Sequence, residues 1–249
     1  MSQERVVHHI FCSGSIGVGK TTTLEYLKKK LVGMDSIYFV KEYIDYDPEG
    51  KQQLERSLDG SLSLVDFQLY ICDQFYFQLD KFYSDIHTDC AFCIWERHPL
   101  EALEIFARDL GGDDKIKVRD AIIKMLEHFN IPDMNGHEIT EIVSFNTVTF
   151  TPMQVSDWIY NSMLDLAASC SGHLWILLRC DLAGVEQYGR IKRRGRQCEI
   201  SEYCGNSKLM KLNTYYQMLY KRLKYQAKDF LMHQFDDESD NWFNFLNLF

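Results

Sequence analysis

Apolar residues gather in four short runs, at 6–12, 37–40, 91–95 and 173–180, without the strict polar alternation of a half-exposed strand. Runs of this length and density read as strands buried on both faces. Between them, apolar positions recur at spacings of three and four over 20–32, 62–85, 99–110, 116–129, 152–169 and 206–230, which predicts helices. Strands alternating with helices predict an α/β fold, a parallel sheet covered by helices on both faces. In such a sheet, ligands bind beyond the carboxyl ends of the strands. The 62–85 helix carries Leu62, Leu64, Val65, Phe67, Leu69, Tyr70 and Ile71, too many for one narrow stripe, so burial on more than one face is expected. The stretch 111–150 is less regular. Gly111-Gly112-Asp113-Asp114 breaks a helix, Pro132-Asp133-Met134-Asn135-Gly136 makes a turn, and Ile142 through Phe150 is β-rich. An acidic turn at 235–240 precedes a last apolar stretch that reads as an edge strand.

The first strand leads into Gly14-Ser15-Ile16-Gly17-Val18-Gly19-Lys20-Thr21, followed by Thr22 and the first helix. This fits G-x-x-x-x-G-K-[ST], the phosphate-binding P-loop, in the strand–loop–helix setting the motif requires. Such a loop aims backbone N–H groups at one point at the mouth of a helix. Lys20 can reach the β- and γ-phosphates, and Thr21 can place its hydroxyl on Mg²⁺. The loop alone names no reaction, because kinases, GTPases and motor ATPases share it.

Strand ends supply the other candidates. Glu42 follows the second strand and is either a proton acceptor for an attacking hydroxyl or a solvated terminus. Glu96-Arg97-His98-Pro99 follows the third. Glu96 is placed to hold Mg²⁺ or its waters, and Arg97 to clamp phosphate; the plain alternative is a surface ion pair. His98 reads as a cap or packing group. Five of the seven residues from 190 to 196 are basic, and 190, 193 and 194 share a helical face, where they repel unless an anion sits there. A lid over nucleotide phosphates is the simpler account; a solvated basic face is the other. Gln68 is an amide in an apolar helix. Either neighbouring backbone or a nucleobase edge satisfies it, with Phe67, Ile71 and Phe106 as stacking faces or plain core.

Composition narrows the picture. A length of 249 residues suits one domain, 1–249. The net charge of −9 argues against a general nucleic-acid or anionic-membrane surface, so phosphate binding must come from local basic clusters. No apolar run reaches the roughly 20 residues of a membrane span. Eight scattered cysteines fit a reducing, cytoplasmic setting, and Cys90-x-x-Cys93, with no second pair, reads as structural.

Together these motifs resemble the deoxynucleoside kinases, and within them the thymidine kinases of herpesvirus type. The likeness rests on Gly17 to Thr23, on Phe67-Gln68, on Glu96-Arg97-His98-Pro99, and on Arg190-x-x-x-Arg194-x-Arg196-x-x-Glu199, which stand in that family's order along the chain. The resemblance implies a P-loop kinase fold with about five parallel strands and an arginine lid at about 189–199. It implies Glu42 as general base toward a sugar 5′-hydroxyl, with Gly14, Ser15, Ile16, Gly17, Val18, Gly19, Lys20, Thr21 and Thr22 binding ATP. Thr21 and Glu96 serve Mg²⁺, and Arg97 sits near the 5′-oxygen and γ-phosphate. Gln68 reads the base, Phe106 and Ile71 flank it, and Glu199 binds the 3′-hydroxyl. Arg190, Arg194 and Arg196 close over the phosphates.

The chain departs from that pattern in three places. Glu42 is followed by neither Pro nor Trp, with Tyr46 a candidate to fill part of that space; the tyrosine expected before the Gln helix has no counterpart in 50–66; and the segment between Glu96 and Arg190 is longer than the family norm, which marks 111–150 as an insertion. The implied function is Mg-ATP-dependent phosphorylation of a deoxynucleoside, thymidine first and other pyrimidines next. The alternatives are a thymidylate kinase and a P-loop protein that holds ATP without transferring it. Family members are often dimers, which leaves a homodimer open.

Overall fold

The computed structural model describes residues 6–34, 36–85, 90–133, 139–169, 172–180 and 183–234. Five strands form one sheet: β1 (Val6–Gly14), β2 (Ile37–Val40), β3 (Cys90–Glu96), β4 (Ile139–Asn146) and β5 (His173–Arg179). Their order is β2-β3-β1-β5-β4 and every pairing is parallel. The helices are α1 (Lys20–Lys30), α2 (Tyr43–Tyr46), α3 (Gly50–Leu58), α4 (Leu64–Asp85), α5 (Gly112–His128), α6 (Pro152–Ser169), α7 (Tyr188–Arg194), α8 (Gln197–Tyr203) and α9 (Ser207–Gln234). The α/β architecture expected from the alternating runs is present.

Period-two geometry explains why the central strands carry no polar face. In β1, Ile10 and Cys12 point to one side and Phe11 to the other. Ile94 opposes Trp95 in β3, and Ile176 opposes Trp175 and Leu177 in β5. On the first side Leu24 and Leu27 of α1 and Val155, Ile159 and Met163 of α6 complete the core. On the second, Phe75 and Leu79 of α4, Val118 and Ile122 of α5, and Tyr216, Leu219 and Leu223 of α9 do so. No helix among the described residues is long and apolar enough to cross a membrane. Cys93 is fully buried within β3, as a structural cysteine would be; the Cys90 side chain lies outside the described ones.

Several elements differ from expectation. The 99–110 segment is not a regular α-helix but is built around a π-helical turn at Ala102–Phe106, closed by Ala107 N–H donating to Ala102 O (2.8 Å). Bonds of three-, four- and five-residue reach follow one another there, a widened geometry common beside functional sites. The glycine break at 111–112 is followed at once by α5, which starts four residues earlier than its apolar spacing suggests. The 111–150 stretch supplies α5 and β4, the latter pairing with β5 along the sheet edge. Helices α2, α3, α7 and α8 are too short or too polar for apolar periodicity to announce them. The expected C-terminal edge strand lies outside the described residues.

At the amino end of the sheet, His9 N–H donates to His173 Nδ1 (2.9 Å), and Trp95 Nε1 donates to His9 Nδ1 (3.0 Å). Both imidazoles are therefore acceptors at Nδ1, a role the protonated ring cannot fill. Burial, reinforced by neighbouring histidines, pushes His9 well below its ordinary pKa, and burial pushes His173 down to about 4. A lowered folded pKa means the unfolded chain binds more protons. Stability is then complete above about 6.5 and falls as pH drops toward 4, by roughly 3 kcal/mol for His173 alone. The urea midpoint should be flat from pH 7 to 8 and decline below 6.5, and His173→Gln should make the decline shallower; an equally steep decline in that variant removes His173 as its source.

Candidate active site

The carboxyl end of β1 turns into the P-loop at Gly14, Gly17 and Gly19, which have φ of 142°, 77° and 101°. A Cβ at Gly14 would lie 2.3 Å from Leu178 O, and one at Gly17 2.9 Å from Gln187 O, so neighbouring backbone as well as φ requires glycine. Lys20 is buried, and its Nζ donates to the loop carbonyls of Gly14 (3.0 Å) and Ser15 (3.1 Å). Burial, then the nearby Arg97 charge, pushes its pKa down to about 8. Val18 is buried, Ile16 faces the cleft, and Thr22 points to solvent.

The ends of β2 and β3 meet beside this loop. Glu42 caps the start of α2, and its position is set from behind by α4. Gln78, fully buried, donates from Nε2 to Lys41 O (3.0 Å) and accepts Lys41 N–H at Oε1 (2.8 Å), so one amide clamps the strand end. Arg97 Nε donates to Glu42 Oε1 at 2.6 Å, with both side chains about nine-tenths buried or nearly so, at 13% and 15% exposure. Burial opposes the charge on Glu42, but the Arg97 and Lys20 cations outweigh it and hold its carboxyl below the usual range. Glu96 behaves oppositely: burial and then the Glu42 charge push it up to about 7. Its Oε1 accepts the Thr21 hydroxyl at 2.8 Å. Two hard oxygen donors side by side, one of them a buried carboxylate that a cation would keep ionised, suit Mg²⁺. Among the described residues no cluster of three or more His, Cys, Asp or Glu side chains could hold a metal ion.

One pocket gathers most of the expected residues. It is lined by the charged residues Lys20, Glu42, Glu96 and Arg97 beside Ile16, and by Phe67, Gln68, Ile71 and Phe106. Arg194, Arg196 and Glu199 line it too. Gln68 is 2% exposed, and its Oε1 has no hydrogen-bond partner among the described residues. The contrast with Gln78 on the same helix is informative, because Gln78 takes the backbone partners that Gln68 lacks. Phe106 lies with its ring centroid 5.0 Å from the Arg97 guanidinium carbon, so an apolar and a charged lining residue of the pocket are in contact.

Arg190, Arg193 and Arg194 lie on α7, as their spacing suggests. Gly195 at φ 78° ends α7, so Arg196 belongs to the next turn. Acids, rather than an awaited anion, relieve the expected repulsion. Glu186 meets Arg190 (3.1 Å) and Arg193 (3.5 Å), and Glu199 meets Arg194 (3.6 Å) and Arg196 (3.2 Å). Arg190 does not line the pocket. It donates to Val18 O (3.3 Å) of the P-loop and to the Thr147 hydroxyl (3.1 Å). His98 packs as expected: its Nδ1 accepts Leu100 N–H (3.0 Å), and its Nε2 bonds Pro132 O (3.0 Å).

Sequence reasoning missed several residues. Tyr46 is 37% exposed and off the pocket, whereas Tyr43, with Leu54, Leu58, Phe75 and Tyr203, lines it. Glu101, 1% exposed, accepts the His98 N–H (3.0 Å) and the Ser13 hydroxyl. Tyr216 of α9 donates to Glu101 Oε2 (2.5 Å) and accepts from Arg97 Nη1. Glu101 carried a local signal, a carboxylate one turn after Arg97 among Leu100, Ala102 and Leu103; Tyr216 carried none.

No protein-family model matches the chain, and no curated protein does. Among solved structures, a deoxyadenosine kinase from M. mycoides with bound dATP is similar, at 20% identity over 88% of this chain and 86% of the other, with a TM-score of 0.45. The structure of deoxyadenosine kinase from M. mycoides with bound dCTP gives 20% identity over 91% and 97%, with a TM-score of 0.44.

Proposed function

We propose that the protein transfers the γ-phosphoryl group of ATP to the 5′-hydroxyl of a deoxynucleoside, with thymidine the expected acceptor. The observation that carries this reading is that one pocket joins the Lys20, Glu42, Glu96 and Arg97 cluster to a slot walled by Phe67, Ile71 and Phe106, where the Gln68 oxygen is buried unpaired. A buried acceptor without a donor costs about 1–3 kcal/mol, and the N–H edge of a flat base supplies the donor. The cations around the other end suit a transferring phosphoryl group, which needs positioning and charge neutralisation more than covalent help.

In this reading Glu42, ionised at neutral pH, takes the hydroxyl proton as the sugar oxygen bonds to the γ-phosphorus and the bond to the β-phosphate oxygen breaks. Arg97 holds Glu42 in place and lies beside the reacting oxygens. Lys20 leaves the loop carbonyls for the phosphates. Arg194 and Arg196 exchange Glu199 for phosphate oxygens, freeing Glu199 for the sugar. Thr21 and Glu96 would hold Mg²⁺, which when bound neutralises charge on the β- and γ-oxygens.

The test is a panel of the four deoxynucleosides and thymidylate with ATP and Mg²⁺, detecting phosphorylated products. Thymidine monophosphate is expected. Product from thymidylate but not from thymidine would reassign the acceptor, and ATP binding with no product from any nucleoside would sink the reading. Gln68→Leu should raise KM for the nucleoside roughly 10- to 100-fold and leave KM for ATP unchanged. An unchanged nucleoside KM would remove Gln68 from base recognition.

A further inference from the structure

Arg97 stands at φ 89°, a left-handed conformation that costs a non-glycine residue about 1–3 kcal/mol and persists where the surroundings over-determine it. Its surroundings do so. Besides Glu42, the guanidinium donates from Nη1 to Gly14 O (2.8 Å), to the Tyr216 hydroxyl, and more distantly to Glu101 Oε2 (3.5 Å). Glu101 is itself fixed by Ser13, His98 N–H and the Tyr216 hydroxyl. Tyr216 is 2% exposed, and its helix is also tied to the P-loop. Three residues before it, on the same face, Asn213 Nδ2 donates to Gln187 Oε1 (2.9 Å), and Gln187 Nε2 donates to Ile16 O. One helix face therefore braces both the phosphate loop and the arginine across from it.

Resting on the kinase reading above, we propose that Tyr216 is a positioning residue for Arg97: with Glu101, it holds the guanidinium at the orientation phosphoryl transfer requires. The hydroxyl accepts from Arg97 and donates its own O–H to Glu101 Oε2. It thus fixes the Nη1 side of the fork, while Glu42 fixes the Nε side. The contacts made by the protein use Nε and Nη1. Tyr216 needs no contact with substrate in this role.

Tyr216→Phe removes one oxygen and keeps the ring that packs in the core. It is expected to lower kcat on the order of 10- to 100-fold, the penalty of a slightly misplaced catalytic group, with KM for ATP and nucleoside moving less than about threefold. Glu101→Gln keeps the shape, weakens the same support and should reproduce the pattern, which covers a failure of the first variant to fold. Tyr215→Phe, whose hydroxyl meets surface Asp109, is the control and should leave kcat unchanged. A kcat within about threefold of wild type in both folded variants, or the same loss in Tyr215→Phe, overturns the proposal. A second readout does not depend on turnover. The Arg97 Nε–H resonance, assigned by its loss in Arg97→Lys, should shift and exchange faster with solvent in Tyr216→Phe; an unmoved resonance overturns the proposal. If wild type phosphorylates no nucleoside, the kinase reading fails while this resonance still decides the role of Tyr216.

Discussion

Glu42→Gln should lower kcat by roughly two to four orders of magnitude while leaving KM for ATP and the melting temperature close to wild type. The substitution keeps the size of the side chain, and the amide oxygen can still accept from Arg97 Nε, so the 2.6 Å contact survives in neutral form. What it removes is the capacity to take a proton. Arg97 and Lys20 hold the wild-type carboxyl below the usual range, so it is already ionised at neutral pH and loses the capacity to accept a proton only as acid protonates it. Steady-state kinetics with thymidine, set beside ATP binding measured directly, separates lost chemistry from lost binding. Near-full turnover in the variant would show that Glu42 is not the base.

Arg97→Ala should be more damaging still, with kcat reduced on the order of 10³- to 10⁵-fold, the range associated with an arginine that stabilises a transferring phosphoryl group. It should also destabilise the fold by about 3–5 kcal/mol, because it leaves the Glu42 and Glu101 carboxylates without their shared cation in a poorly hydrated place. Lysine cannot restore the site, since one ammonium cannot occupy both the Nε and Nη1 positions of a planar fork. Arg97→Gly separates the two effects. It relieves the left-handed strain at φ 89°, so it should melt above Arg97→Ala yet be equally inactive. Appreciable activity in either variant would remove Arg97 from the chemistry.

What could be read from the chain was chemistry written locally. The P-loop occupies eight consecutive residues, Glu96 and Arg97 are adjacent at a strand end, and Gln68 stands out as an amide among apolar neighbours. Strands were legible because burial on both faces leaves dense apolar runs. The supports were not legible, because each is a long-range contact made by an ordinary residue. Tyr216 reaches Arg97 across 119 positions, and Gln78 reaches Lys41 across 37. Nothing near Gln78 distinguishes it from Gln68; only the placement of β2 against α4 gives one amide two backbone partners and leaves the other's oxygen bare. The inward turn of Tyr43 is illegible for a related reason. The short α2 helix turns Tyr43 inward and Tyr46 outward, and four residues carry no periodicity to reveal that turn. The ion pairs of the basic segment were not legible either, because its acids, Glu186 and Glu199, flank the basic run instead of interrupting it.

The place of β1 at the centre of the sheet sets an order of events during synthesis. It emerges ahead of both its neighbours, yet its hydrogen bonds wait for β3 at residues 90–96 and β5 at 173–179. The strand that carries the phosphate loop is therefore made before either of the strands that satisfy it. Until Arg179 has left the ribosome, its backbone groups and the apolar side chains of Ile10, Phe11 and Cys12 have no complete home. Parallel pairing over such separations is slow and exposes sticky surface meanwhile. A nascent chain halted midway would thus hold its glycine-rich loop on an unfinished sheet, with β5, the second partner of β1, still to come.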